Sequence, residues 1–146
     1  MSREVGEALR RLVADRAYHV CEYCLVHEDD LFHGCEVDHV LSRKHGGPTT
    51  PENLAYACCH CNRHKGTDLG SVSTRTGGLI RFFNPRSDVW GKHFEWNDGR
   101  IEPLTDAGEV TARLLDFNHP ERVAFRKLLA DTGRYPSVEA LARLKE

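Results

Sequence analysis

The sequence predicts a small α+β protein stapled by a metal ion, and three observations carry that prediction. Two Cys-x-x-Cys turns, at Cys21 and Cys24 and at Cys58 and Cys61, have 33 residues between them. Paired thiolates at such a spacing read as one tetrahedral zinc site. An apolar stripe at helical period opens the chain, and Asn97-Asp98-Gly99 between two extended segments signals a hairpin.

Taken in order, residues 3–18 read as a helix. Val5, Leu9, Leu12, Val13 and Ala17 form its stripe, with Arg3, Glu7, Arg10 and Arg11 on the remainder. The first cysteine turn follows directly. Glu28-Asp29-Asp30 reads as a solvated loop, because three consecutive acids do not converge on one ion. Leu31–Val40 alternates and should be extended, with Cys35 and Val37 on one face and Glu36 and Asp38 on the other. Ser42–Pro51 is a loop turning at Gly46-Gly47-Pro48, and Pro51 can start a short helical turn through Ala57. A helix should run from about Cys59 to Leu69, stopped by Gly70.

Residues 70–78, rich in Gly, Ser and Thr, read as a flexible crossing. Leu79–Asn84 is a short strand candidate. The hairpin joins His93–Trp96 to Arg100–Glu102, since its turn needs positive φ. Thr105 or Asp106 can cap a helix over Ala107–Phe117. Asn118 can cap the next, with Pro120 just inside, Gly133 at its end, and Val123, Leu128 and Leu129 as its apolar side. Ser137 caps a last helix, Val138–Lys145. The expected organisation is one domain over 1–146: an N-terminal helix in 1–20, the zinc module in 21–70, and a C-terminal extension in 71–146 packed on it.

Charged residues are 29% and hydrophobic residues 40%, a soluble composition. No apolar run approaches the ~20 residues of a membrane span. The charged N-terminus lacks a signal peptide's apolar region, so a reducing cytoplasm is expected, where six cysteines serve as ligands and core thiols. The net charge of −2 is not the footprint of a tight nucleic-acid binder. Its distribution is uneven. Residues 22–38 hold six acids and no Lys or Arg, whereas residues 39–66 hold Arg43, Lys44, Arg63 and Lys65 against Glu52 alone. Any polyanion contact is therefore local.

Four sulfurs close a tetrahedron and leave no open position, so the zinc should be structural. Cys35 and Cys59 are left over; Cys59 is best read as a buried thiol, although it could replace a neighbour as ligand. Asp38, His39, Asn53 and Asn62 suggest a second centre. A carboxylate and an amide oxygen are hard ligands suited to Mg²⁺ or Mn²⁺. A neutral imidazole beside such an ion can take a proton from water. That combination is hydrolysis, with the metal clamping a charged oxygen and the histidine activating water.

These residues, in this order, closely resemble the HNH endonuclease family in its four-cysteine zinc form. The resemblance covers Cys21-x-x-Cys24, Val37-Asp38-His39-Val40, Gly46-Gly47, Asn53-Leu54 and Cys58-x-x-Cys61-Asn62-x-x-Lys65. It implies a ββα-metal core: two antiparallel strands, a loop and a helix around one divalent ion. It implies hydrolysis of phosphodiester bonds in DNA, with RNA left open, giving 5′-phosphate and 3′-hydroxyl ends. His39 then matches the base that activates water, Asp38 the acidic metal ligand, and Asn53 the residue that braces the loop. Asn62 stands where the family more often has a metal-binding histidine, which favours a hard metal. Lys65 matches a family lysine near a phosphate, and Arg43, Lys44 and Arg63 are further candidates for nucleic-acid contact.

Other readings compete with parts of this or add to it. His60 and His64, at i and i+4, have the spacing of a metal pair, but His64 points nearly opposite Asn62 on a helical wheel. The chain as a whole could be a catalytically inactive, zinc-stapled module that binds nucleic acid or protein. A protein partner could supply target choice, since no recognition domain is visible. Finally, Phe83-Asn84-Pro85-Arg86, Trp90, His93-Phe94-x-Trp96, Leu104-Thr105 and Leu115-Asp116-Phe117-Asn118 resemble a C-terminal extension of one bacterial subgroup of HNH proteins. Trp90, Phe94 and Trp96 there either stack bases or, as their apolar density favours, cover the zinc module.

Overall fold

The computed structural model describes residues 5–145. Helix α1 spans Glu7–Arg16, inside the expected 3–18; residues 3 and 4 of that range lie outside the described residues. Val5, Val13 and Ala17 are buried as the stripe requires, but Leu12 is exposed. The chain reverses through Tyr18 and His19, both at positive φ (57° and 62°), and Val20 then bridges His27. The first cysteine turn closes inside that bridge, where the Leu25 amide donates to Cys21 O at 2.9 Å.

Strand β1, Cys35–His39, pairs antiparallel with β2, Leu54–Cys58, placing Asp38 opposite Ala55 and His39 opposite Leu54. The helical turn expected from Pro51 to Ala57 is corrected here: a 3-10 turn stops at Asn53, and the chain extends from Leu54. Both faces of β2 are covered, with only Tyr56 half-buried, so its apolar run shows none of the alternation that marks a half-exposed strand. Helix α2, Cys59–Lys65, follows at once and ends at Gly66 (φ 54°), short of the expected Leu69. The order strand–loop–strand–helix is the ββα core that the resemblance implies.

Residues 70–78 are not the expected flexible crossing. Gly70–Val72 form β3, antiparallel to β4, Leu79–Arg81. A Cβ at Gly70 would lie 2.2 Å from Ile80 O, so only glycine permits this close pairing. A short helix α3, Trp90–His93, leads into the hairpin of β5, Phe94–Asn97, and β6, Arg100–Pro103. Its turn residues Asp98 and Gly99 both have positive φ, 52° and 86°. Helices α4, Asp106–Leu114, α5, Pro120–Asp131, and α6, Val138–Leu144, complete the chain. Thr105 and Ser137 cap α4 and α6 as expected.

Two expectations about α5 are corrected. Its cap is His119, whose Nδ1 accepts from the Glu121 amide at 3.1 Å. Asn118 instead exchanges two 2.9 Å hydrogen bonds with the Ile101 backbone, acting as a side-chain extension of the β5–β6 sheet. Leu128 is exposed, and the inner face carries Arg126, which donates to Gly99 O at 2.7 Å and Phe117 O at 2.6 Å.

One apolar core joins Cys21, Tyr23, Leu25, Ala55 and Ala57 to Phe83, Trp90, Phe94, Phe117 and Tyr135. Trp90 Nε1 donates to Tyr23 O, and the Tyr135 hydroxyl donates to Cys24 O, both at 2.8 Å. Trp90 and Phe94 are buried in ring contact, 5.1 Å between centroids, so they cover the cysteine turns rather than offer a stacking platform. Among the described residues, no helix is long and apolar enough to cross a membrane.

Candidate active site and zinc centre

The second cysteine turn leads from β2 into α2, and the first is held against β2 by Glu22, whose amide donates to Tyr56 O at 2.8 Å and whose carboxylate accepts from the Tyr56 amide at 2.9 Å. The ligand atoms of Cys21, Cys24, Cys58 and Cys61 lie within 4.8 Å of one another, and all four residues are buried. Cys24 Sγ and Cys58 Sγ are 3.8 Å apart. Zn–S bonds of about 2.3 Å give a tetrahedron with edges of about 3.8 Å, so the set fits zinc. Burial pushes the thiols of Cys21 and Cys61 well up, while hydrogen bonds from Cys21, Cys58 and Cys61 pull Cys24 well down. Four buried thiols cannot ionise together without a cation; a divalent ion removes that conflict. Cys59 is half-buried outside the cluster and is no ligand.

Arg122, which the sequence did not single out, adds a second layer. Its Nη2 approaches Cys61 Sγ at 3.2 Å and Cys58 Sγ at 3.8 Å, and its Nη1 donates to Leu115 O and Asp116 O. Burial opposes its charge, but the neighbouring cysteine sulfurs hold its guanidinium well above the ordinary range. The extension thus supplies a positive charge to a thiolate cluster that stays anionic even with zinc bound.

At the end of β1, the imidazole of His39 is largely buried, and its Nε2 lies 2.9 Å from Thr49 Oγ1. Burial lowers its pKa below 6.5, with the nearby Lys65 charge acting in the same direction. At neutral pH the ring is therefore uncharged and able to accept a proton. Thr49 was not among the expected residues; it follows Gly46-Gly47-Pro48, and nothing local marks it as the histidine's partner.

Asn53 closes the loop that carries Thr49. Its Oδ1 accepts from the Leu41 amide, and its Nδ2 donates to Leu41 O and Pro48 O, all at 2.9 Å. Gly47 makes that closure feasible, since a Cβ there would lie 1.7 Å from Leu41 O and 2.9 Å from Asn53 Nδ2. Asn53→Asp keeps the acceptor but loses both donors and sets an anion against two carbonyls. We expect it to open residues 41–48 to limited proteolysis with zinc content unchanged. Any cleavage of nucleic acid should fall about tenfold to a hundredfold, the scale on which a displaced catalytic group costs rate.

Asp38 and Lys65 do not lie where the sequence suggested. Asp38 is 6% exposed, although strand alternation put it on the polar face. Tyr23 Oη donates to its Oδ2 at 3.2 Å, and Lys65 Nζ lies 3.2 Å from the same oxygen and 3.5 Å from Oδ1. Lys65 was expected beside a phosphate. It is 2% exposed and also donates to His39 O at 2.9 Å, so it ties α2 to the end of β1. Burial pushes the Asp38 carboxyl up, against the opposing pull of Lys65. Removing one partner strands the other charge. Lys65→Met should cost about 3–5 kcal/mol of stability in a urea titration of the zinc-loaded protein. Adding Asp38→Asn should recover most of that loss; no recovery means that Lys65 contributes through packing instead.

The remaining candidates lie at the surface. Arg43 and Lys44 are exposed on the 3-10 turn after β1, and Arg63 is exposed on α2. Asn62 is half-buried, and its side chain makes no hydrogen bond among the described residues. His60 and His64 are exposed, and His60 Nδ1 meets Arg63 Nη2 at 3.3 Å. Among the described residues, the cysteines are the one group of three or more His, Cys, Asp or Glu side chains able to hold an ion together.

Fold and site together define a zinc-stapled ββα-metal module with a histidine at the end of its first strand. Residues 21–68 match the HNH endonuclease family model. That segment is an HNH domain, and Asp38, His39, Asn53, Asn62 and the four clustered cysteines all fall inside it. No curated protein and no solved structure matches the chain.

Proposed function

We propose that this chain is a metal-dependent endonuclease that hydrolyses phosphodiester bonds in DNA. The observation that carries the reading is His39: an uncharged imidazole at the end of β1, oriented by Thr49 and set in a loop that Asn53 braces. With Nε2–H donating to Thr49 Oγ1, Nδ1 keeps its lone pair and takes the proton of the attacking water. The water oxygen bonds to phosphorus in line with the 3′ oxygen. The P–O3′ bond breaks, its electron pair leaves with the 3′ oxygen, and that oxygen takes a proton from solvent water, leaving a 5′-phosphate and a 3′-hydroxyl.

Asp38 and Asn62 are the residues we assign to a catalytic Mg²⁺ or Mn²⁺. Asp38 Oδ1 has only the 3.5 Å approach of Lys65, and the Asn62 amide has no partner of its own, so hard oxygen donors remain for such an ion. Bound there, the ion supplies charge for the leaving oxygen. Lys65 holds the Asp38 carboxylate in place, while Arg43, Lys44 and Arg63 are placed to meet phosphates without choosing sequence. The core shared with residues 82–140 supports reading 1–146 as one unit. Six free cysteines suit a reducing cytoplasm. The small local positive charge suits a nuclease that a protein partner directs to its target.

The test is plasmid nicking by zinc-loaded protein freed of other divalent ions. Nicking should appear when Mg²⁺ or Mn²⁺ is added and be lost in His39→Ala with zinc content and fold retained. Retention of DNA with no nicking under any metal sinks the endonuclease reading and favours the inactive binding module. Equal nicking by both proteins removes His39 as the base.

A further inference from the structure

We propose that a cavity lined by α1, the turn before β2, the loop after β4 and α6 binds a tetrahedral oxyanion of the phosphate class. Arg16 ends α1, Arg86 lies in the Asn84-Pro85-Arg86-Ser87 loop, and Arg143 lies on α6. With Ser87 and Trp90 they line a cavity of about 560 Å³. None of its lining residues belongs to the Asp38–His39 site.

The charges around this cavity are incompletely matched. Glu22 is fully buried behind it, accepting from Arg86, from Arg143 Nη2 at 2.6 Å and from the Tyr56 amide at 2.9 Å. One carboxylate thus serves two guanidinium groups. Arg16 spends its Nη atoms on backbone carbonyls, Pro51 O at 2.9 Å and Leu54 O at 2.8 Å, and no carboxylate contacts it among the described residues. The other acids at the rim supply only part of the balance. Asp88 is bonded to Arg81 at 2.7 and 3.0 Å, and Glu52 is exposed. Burial, and after it the charge of Arg86, lowers the pKa of Arg16, while Glu22 and Glu52 pull the other way.

Donors are in excess as well as charge. Arg16 Nε, Arg86 Nε and Arg86 Nη1 are buried with no acceptor. Buried donors in folded proteins are nearly always satisfied, and guanidinium groups are best satisfied by oxyanions. Arg86 lines the cavity, and one phosphate bound there would supply both acceptors for its unused N–H groups and countercharge.

Trp90 forms part of the cavity wall, so tryptophan fluorescence reports occupancy. The experiment uses the full zinc-loaded chain without added divalent ion, at constant ionic strength set by chloride. Inorganic phosphate is titrated, reading fluorescence and Tm. A saturable response is expected. Arg86→Gln, which removes donors, and Ser87→Glu, which adds a carboxylate at the rim and leaves the Glu22 network intact, should each weaken it about tenfold or more, the usual scale for a charged hydrogen bond. Should Arg86→Gln misfold by zinc content and near-UV CD, Ser87→Glu decides alone. His39→Ala should leave the response unchanged, and since nothing is turned over, failure here leaves the nuclease reading untouched. Tighter saturation by a dinucleotide with one phosphodiester assigns the site to a nucleic-acid backbone, and tighter saturation by inorganic phosphate assigns it to a free phosphate. No saturable response to either ligand, an unchanged response in Ser87→Glu, or loss of the response in His39→Ala overturns the proposal.

Discussion

Chelation of zinc should unfold this protein rather than loosen one turn of it. The four ligand cysteines are not at the surface; they sit in the same apolar core as Tyr23, Phe83, Phe94 and Tyr135. With the ion gone, four buried thiols and the Arg122 charge share a space with nothing to balance them. Structural zinc contributes about 10–16 kcal/mol of apparent binding energy in zinc-finger peptides at neutral pH. A domain of this size has about 5–15 kcal/mol of stability in all. The binding term therefore equals or exceeds the whole. One zinc per chain by elemental analysis, with near-UV CD lost on chelation and restored by Zn²⁺, is the expected result. Retention of the native near-UV spectrum by zinc-free protein would mean that the core stands by its own packing.

That expectation rests on features legible in the sequence, because they are local. Cys-x-x-Cys turns, the Asn97-Asp98-Gly99 hairpin and the caps at Thr105 and Ser137 are each set by a few consecutive residues, and all appear as read. What escaped is what depends on a distant partner. Leu54–Cys58 is a strand because β1 pairs with it and other elements cover its faces, so its run of small apolar residues shows no period of two. Lys65 looks like a solvated residue near a phosphate until Asp38, on another element, is seen to face it. Arg126 and Arg122 sit inward because backbone carbonyls and sulfurs await them, and a helical wheel scores only apolarity. Asn118 has the chemistry of a cap but is taken by Ile101 across a loop.

The same division applies to the candidate site. The family resemblance marks His39 and Asn53, and in the fold Asn53 bonds across the loop. The three bonds that do it reach Leu41 and Pro48, and no spacing rule names those acceptors. Thr49, Tyr23 and the Arg16–Arg86–Arg143 cluster carry no motif at all. Each acquires its chemistry only when strands and helices from separate stretches converge.

Replacing His39 by Ala should lower the cleavage rate about 10²- to 10⁴-fold, the span that a positioned general base contributes. Stability should change little, since the ring's hydrogen bond among the described residues is the one to Thr49 and the four cysteines lie elsewhere. The pH profile separates this loss from generic damage. The base works when unprotonated, so the rate holds as pH falls from 8 toward neutrality. It then drops about tenfold per pH unit once pH falls below the His39 pKa, which burial sets below 6.5. Thr49→Val removes the acceptor that orients Nε2–H without adding charge. It should cost about tenfold in rate while leaving that acidic limb in place, because the imidazole remains. His39→Ala should abolish the limb, and whatever slow cleavage is left should be flat across the same range. An acidic limb that persists in His39→Ala would place the titrating base on another residue, and the proton path drawn through Nδ1 would then be wrong.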